Sequence, residues 1–142
     1  MVEKKSSNVP GVDFSRIEKI ADIANSGVWF TPFHPGTGEP LDCRILVYGE
    51  DSKKFARAMD HIAEQKARIQ QRTGREETNY SDITYGRLIL AMYLTGGWEG
   101  FVDGEKILEC NDINKQQVYT AHPWLAEMVV EFARKRKNFM TH

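Results

Sequence analysis

The sequence predicts an α+β domain that is mainly helical, with about five helices, one β-hairpin near the N-terminus and a short turn or hairpin at 98–110. Helices are indicated by apolar residues that recur every three or four positions, most clearly in 52–72 and 123–134. The hairpin is indicated by two β-prone runs, 28–31 and 44–48, on either side of a loop rich in proline and glycine. The prediction is therefore a helical framework with a small amount of antiparallel sheet.

Length and composition limit how the chain is organised. At 142 residues, it is expected to form a single domain over 13–142, after a flexible polar arm over 1–12. The net charge of −1 gives no long-range attraction to nucleic acid or to an anionic membrane. No apolar run approaches the roughly 18 residues of a membrane span. Because Cys43 and Cys110 are far apart in sequence, two reduced thiols of a cytoplasmic protein are favoured over a disulfide.

The first half is expected to contain two helices with the hairpin between them. Asp13 or Ser15 is a candidate cap for a short first helix, and Gly27 is placed to end it. Because two strands alone are marginally stable, the hairpin must pack against the helices. Asp51 or Ser52 then caps a long helix whose outer faces are charged.

A third helix is expected over about 82–95, with Asn79 or Ser81 as its candidate cap. Few polar residues interrupt this segment, so it is expected to be the most buried helix. The glycine pair 96–97 is expected to stop it. The Asp-Gly pair 103–104 then supplies a tight turn, since glycine readily adopts the positive φ that such a turn needs.

Two more helices are expected after this turn. Asn111 or Asp112 is placed to cap a small one, and Pro123 begins the last, where a missing N–H is no loss. The side chains expected to face inward are Ile113, Val118 and Ala121 on the small helix, and Leu125, Met128, Val129, Phe132 and Ala133 on the last. A basic run at 134–137 closes the last helix, where cations meet the negative end of its dipole.

The sequence contains no catalytic constellation, metal motif or cofactor motif. The four histidines stand at no metal-ligand spacing, and no glycine-rich phosphate loop is present. Cys43 would be a nucleophile only with a histidine near it in space, and a half-buried strand residue is the simpler interpretation. An enzyme is therefore disfavoured, and neither a cofactor nor a metal is expected.

The basic run and the tryptophans remain as candidate contact residues. The run 134–137, with Phe139 beside it, would suit a small nucleic-acid-binding regulator. The neutral overall charge disfavours that partner, and the helix dipole explains the run without it. A tryptophan usually belongs to a core, but Trp98 with Phe101, and Trp124 beside the last helix, also suit a protein–protein contact.

The order of short motifs resembles that of small tail assembly proteins of tailed bacteriophages. The motifs are Thr37-Gly38-Glu39-Pro40-Leu41, Gly49-Glu50-Asp51-Ser52 before the long helix, Gly97-Trp98-Glu99-Gly100, Asp103-Gly104, His122-Pro123-Trp124-Leu125 and Asn138-Phe139. The resemblance covers roughly 27–139. It implies a non-enzymatic chaperone in the host cytoplasm that keeps the tape-measure protein soluble and helps to recruit tail-tube subunits. Some relatives carry an acidic, frameshift-extended tail, and the existence of a longer form is left open.

A chaperone for a long amphipathic chain is expected to expose apolar grooves rimmed by charge. The candidate partner-binding residues lie in the 52–72 helix, in the turn after the third helix and near the last helix: Phe55, Met59, Ile62, Ile69, Trp98, Phe101 and Trp124. A structural component of the virion tail or neck, and a small nucleic-acid-binding regulator, are the alternatives. The sequence leaves open a homo-oligomer and the presence of the protein in the mature virion.

Overall fold

A computed structural model describes residues 8–17, 19–74 and 80–140. In these ranges the helices are α1 (Ile20–Ser26), α2 (Lys53–Thr73), α3 (Tyr80–Leu94), α4 (Asp112–Ala121) and α5 (Pro123–Arg134), followed by a 3₁₀ turn (Arg136–Phe139). The strands are β1 (Val28–Phe30), β2 (Arg44–Val47), β3 (Thr95–Glu99), β4 (Val102–Asp103) and β5 (Lys106–Ile107). The predicted α+β class, mainly helical, is confirmed.

The N-terminal hairpin forms as predicted and belongs to a three-stranded antiparallel sheet in the order β1-β2-β3. Its wide loop is closed by a bridge between Phe33 and Pro40. Within the loop, His34 Nδ1 accepts hydrogen bonds from the backbone N–H groups of Gly36 and Thr37, at 3.0 and 3.1 Å. These bonds order a loop whose prolines and glycines exclude helix and regular strand.

The third strand of the sheet was not predicted. The glycine pair 96–97 was expected only to stop α3, which does end at Leu94, but the chain continues through both glycines as β3. A Cβ at Gly96 would lie 2.5 Å from Tyr48 Oη, so only glycine fits under that ring. Here glycine allows the strand backbone to approach the Tyr48 ring closely. Propensity rules alone interpret the same glycine as the end of a helix.

The start of α1 differs from the prediction. α1 begins at Ile20 after an N-cap at Lys19 that makes no side-chain hydrogen bond, so neither Asp13 nor Ser15 caps it. Asp13 Oδ1 instead accepts from the N–H and hydroxyl of Ser15, at 3.0 and 2.6 Å, and forms a turn of its own. Gly27 ends α1 as predicted, with φ of 88°.

The long helix α2 has the predicted cap. Ser52 Oγ accepts a hydrogen bond from the backbone N–H of Phe55 at 3.2 Å, and Asn25 Oδ1 accepts from Lys53 N–H at 2.8 Å. Of the caps expected for α3, Ser81 lies inside the helix and Asn79 lies outside the described residues.

The core lies between the inner face of the sheet and helices α3 and α5. Fully buried side chains from all three meet there, among them Ile45, Leu94 and Val129. The predicted inward face of α5 is confirmed, with Leu125, Val129 and Ala133 buried and Met128 and Phe132 half-buried. The third and fifth helices therefore form the centre of the fold.

On helix α4 the predicted inward face is confirmed only at Val118, which is half-buried and packs against the core. Ile113 is 69% exposed and Ala121 is exposed, whereas Tyr119 is buried. The Tyr119 hydroxyl is 2.6 Å from Thr95 Oγ1, which in turn donates to Ala91 O at 2.7 Å. This hydrogen-bonded pair accounts for the inward face, because a tyrosine is buried readily where its hydroxyl has a partner.

The predicted arm over 1–12 is described only from residue 8 onward. Residues 8–12 are exposed and belong to no helix or strand. Residues 1–7 lie outside the described part of the chain.

Candidate functional site

The predicted apolar seam of α2 is partly core and partly surface. We call Phe55, Met59, Ile62, Lys66 and Ile69 the α2 seam. Phe55 and Ile62 are half-buried and pack against the core, next to fully buried Ala58. Met59 and Ile69 are 42% and 38% exposed, and Lys66 is exposed. The seam therefore fixes α2 to the domain and also leaves apolar surface in contact with solvent.

The second half of α2 contributes little to the core. Among residues 63–72, Gln65 is half-buried and all the others are exposed. At about 1.5 Å per residue, these ten positions extend the helix by about 15 Å past Ile62. This half of α2 is thus a surface helix, and most of its side chains face solvent.

The structure places Trp98 in the core, the usual location of a tryptophan, and not on the contact surface that was offered as its alternative. The ring is buried, stacks on Phe101 at 4.3 Å, and meets Tyr119 edge-on at 6.5 Å. Its Nε1–H donates to Leu108 O at 2.8 Å. Trp98 therefore holds the hairpin that follows it, and half-buried Phe101 covers the ring.

The exposed apolar residues of this region lie beyond Phe101, at Val102 and Ile107, where no contact residue was predicted. Val102 and Ile107 are paired across β4 and β5, and Ile107 is 77% exposed. Gly104, with φ of 64°, forms the predicted turn between them. An isolated two-stranded ribbon has no further layer that could bury its apolar pairs. The short hairpin predicted at 98–110 was therefore the sequence signal that could have revealed these exposed residues.

The other two tryptophans are less buried than the usual preference predicts. Trp124 is half-buried against the core and lies edge-on to His122, with ring centroids 5.9 Å apart. Trp29 is exposed on the outer face of the sheet, under the guanidinium of Arg44 at 4.0 Å. Arg44 also binds Glu99 at 2.6 Å and thereby lowers the pKa of that carboxyl group. The contact role predicted for Trp124 stays a prediction.

The basic run after α5 is not a simple helix terminus. α5 ends at Arg134, and Arg136 turns back to bind Asp51 at 2.8 and 3.1 Å and Glu50 at 3.5 Å. Phe139 is buried and packs edge-on against Phe132 at 5.6 Å, so its ring is unavailable for stacking on a base. Two of the features that suited a nucleic-acid site, the charge of Arg136 and the ring of Phe139, are therefore already engaged within the domain.

One of these cations faces the α2 seam. The guanidinium of Arg134 lies over the Phe55 ring, 5.8 Å from its centroid. The ion pair between Arg136 and Asp51 brings this end of α5 against the start of α2. The first turn of the seam is therefore bordered by positive charge.

A groove of about 350 Å³ lies between α3, α4 and α5, at the far end of α5 from the basic run. Its walls are mostly apolar, with one ion pair between Arg87 and Glu127 at 3.4 Å beside it. The lining residues are Thr84, Tyr85, Arg87, Leu88, Tyr119, Thr120, Pro123 and Ala126. Sequence periodicity does not reveal this groove, because it arises where three helices meet.

Reactive groups in the described residues are dispersed. Both cysteines are free and half-buried, and burial raises the pKa of each thiol. His61 Nδ1 is paired with the Tyr93 hydroxyl at 3.1 Å. The described part of the chain holds no group of three or more histidine, cysteine, aspartate or glutamate side chains placed to bind a metal ion. No helix in that part is long and apolar enough to cross a membrane.

Comparisons with models of protein families, with curated protein sequences and with solved structures find no match for this chain. The candidate site is therefore interpreted from its own geometry and from the motif order of the sequence.

Proposed function

We propose that this chain is a non-enzymatic tail assembly chaperone of a tailed bacteriophage, acting in the host cytoplasm. It keeps the helical tape-measure protein soluble and helps to bring tail-tube subunits to it. The motif order over 27–139 supports this function, and the exposed part of the α2 seam carries it. A long amphipathic helix with no core of its own needs such a surface when it is free.

The α2 seam suits a helical partner in its spacing. Met59, Lys66 and Ile69 stand seven and three residues apart, so they follow one side of the helix over about three turns. Burying the exposed part of Met59 or Ile69 against a partner would contribute on the order of 1 kcal/mol each. Contacts of this size support a reversible complex, which a chaperone requires because it must release its client.

The test is co-expression with the product of the longest neighbouring open reading frame, which is the tape-measure protein if the proposed function holds. We expect the tape-measure protein to stay in the soluble fraction with the wild type and to precipitate with Met59→Glu/Ile69→Glu, since two carboxylates would be buried in the complex. Ile113→Glu is the matched control, because Ile113 is an exposed isoleucine on another helix. Circular dichroism and thermal melts of each variant should be used to check that it folds.

Two results would contradict the proposed function. A tape-measure protein that is equally soluble alone needs no chaperone. Equal rescue by Met59→Glu/Ile69→Glu and by Ile113→Glu would show that the α2 seam does not bind it. Trp98→Ala is unsuitable for this test. Removing a buried ring typically costs about 3–5 kcal/mol, so a loss of binding could not be separated from a loss of folding.

The alternative functions make different predictions. A structural tail or neck component would be detected by mass spectrometry in purified virions, from which a chaperone should be absent. A nucleic-acid-binding regulator would shift duplex DNA in a gel, with an affinity that falls steeply as salt rises. Buried Phe139 and the ion-paired Arg136 both reduce the surface available for that second alternative.

A further inference from the structure

The α2 seam carries positive charge at two points along its length. Lys66 lies within the seam, between Met59 and Ile69, and is exposed. Arg134, also exposed, lies over the Phe55 ring at the beginning of the seam. Neither cation forms an ion pair with another described residue. No described carboxylate therefore matches their charges.

The neighbouring charges strengthen this pattern at the Arg134 end. Lys135 and Lys137 are exposed and flank Arg136, whose charge is already matched by Asp51 and Glu50. The described carboxylates on the two helices are Asp60 and Glu64 on α2, and Glu131 and the Arg87-paired Glu127 on α5. Asp60 lies one residue after Met59, about 100° round α2 from it, so it stands beside the seam and not on it. Glu64 lies about 180° round α2 from Phe55, so neither carboxylate of α2 shares the seam with Lys66.

We propose that the partner of the α2 seam is an amphipathic helix with glutamate or aspartate side chains flanking its apolar face. The inference rests on the proposed function and names the chemistry of the client segment. Apolar side chains of the partner would cover Met59 and Ile69, while carboxylates beside them would pair with Lys66 and Arg134. The same two cations would repel an amphipathic helix with basic flanks, so they would also provide selectivity for the acidic client.

The two described aromatic rings that lie beside these cations or in the basic run, Phe55 and Phe139, are not free to stack on bases, which favours a polypeptide over nucleic acid. Phe139 is buried, and the face of the Phe55 ring is occupied by Arg134. Single-stranded nucleic acid is usually held by stacking its bases on aromatic rings. An acidic helix instead needs apolar positions and point charges, both of which the seam provides.

The test uses three synthetic amphipathic peptides of about 20 residues, long enough to be helical. They share one apolar face and differ only in the flanking positions, which are all glutamate, all glutamine or all lysine. We expect the glutamate peptide to bind the full chain about ten-fold more tightly than the lysine peptide in fluorescence anisotropy at about 0.05 M salt. At about 0.5 M salt the preference should shrink, because exposed ion pairs are screened.

Charge reversal on the protein supplies the control. Lys66→Glu/Arg134→Glu should reverse the preference, so that the lysine peptide binds more tightly than the glutamate peptide. Arg57→Glu/Arg68→Glu makes the same change in net charge on the side of α2 away from the seam, since Arg57 lies about 200° from Phe55. That variant should keep the original preference. Lys66→Gln/Arg134→Gln, which should abolish the preference, replaces the reversal if the doubly acidic variant fails to fold.

The outcomes separate this inference from the proposed function. Equal binding of all three peptides, lost in Met59→Glu/Ile69→Glu, would refute the acidic client and leave the chaperone function standing. No binding of any peptide would refute both. A preference that survives Lys66→Glu/Arg134→Glu, or tighter binding of duplex DNA than of the glutamate peptide, would also overturn the inference.

Discussion

The hydrogen-bonded pair of Tyr119 and Thr95 allows a quantitative test of how the core is held together. Both side chains are buried. Because Thr95 Oγ1–H donates to Ala91 O at 2.7 Å, its oxygen is left to accept the Tyr119 hydroxyl proton at 2.6 Å. The two bonds connect α4 to the end of α3, where the chain enters β3. Removing the Tyr119 hydroxyl and removing the Thr95 hydroxyl should therefore lower the free energy of unfolding by different amounts.

Tyr119→Phe removes one neutral hydrogen bond and leaves Thr95 still bonded to Ala91, so we expect the free energy of unfolding to fall by about 1 kcal/mol. Thr95→Val removes both bonds and leaves the Tyr119 hydroxyl buried without a partner, so we expect a loss of about 2 kcal/mol. The double variant should lose about 2 kcal/mol and not 3, since it contains no orphaned hydroxyl.

Urea unfolding at neutral pH measures these differences, and thermal melts should show shifts of about 4 °C for each 1 kcal/mol at this chain length. The slope of the unfolding free energy against urea should be the same for all four proteins, which confirms that they unfold to similar states. A Thr95→Val variant no less stable than Tyr119→Phe would refute the reasoning. So would strict additivity in the double variant, because it would mean that the two hydroxyls do not interact.

Burial also raises the pKa of Tyr119 above its usual 10.0, so the unfolded chain loses this proton first as the pH rises. The free energy of unfolding should then fall by up to about 1.4 kcal/mol per pH unit above about pH 10, a slope that Tyr119→Phe should lack in urea titrations. Ser52→Ala should cost about 1 kcal/mol by removing the α2 cap, and an unchanged urea midpoint would contradict that role. Gly100→Ala should cost about 1–3 kcal/mol, because Gly100 has φ of 84° and its Cβ would lie 2.6 Å from Asp42 O. Gly97→Ala, with nothing within 4 Å of its Cβ, should stay within about 0.5 kcal/mol of the wild type, and equal melting temperatures for both glycine variants would be inconsistent with this account.

Local signals predicted most of the helical framework. The inward residues of α5 follow from its apolar period alone, and the cap at Ser52 follows from its position before a long amphipathic run. The strand β3 could not be predicted in this way, because glycine at position 96 is explained only by the ring of Tyr48 above it. Its pairing with β2 depends on a contact between residues far apart in sequence.

The candidate site shows the same division between local and long-range information. The α2 seam was predicted from its own spacing, but the position of Arg134 over Phe55 depends on how two distant elements meet. The location of Trp98 could not be decided from its neighbours in sequence for a related reason. A tryptophan usually belongs to a core, but next to a turn it also suits a contact surface, and its burial depends on the hydrogen bond to Leu108 and the stack on Phe101.

The division of the α2 seam decides which substitutions can separate binding from folding. Phe55 and Ile62 belong to the packed half, so a loss of binding after their truncation would be confounded by a loss of stability of about 2–5 kcal/mol. Met59 and Ile69 belong to the exposed half, where substitutions usually change stability by about 0.5 kcal/mol or less. A binding defect confined to the exposed pair is therefore evidence for a contact surface. A defect that appears only with the packed pair would indicate that α2 serves the fold alone, and the proposed client would then have to bind elsewhere.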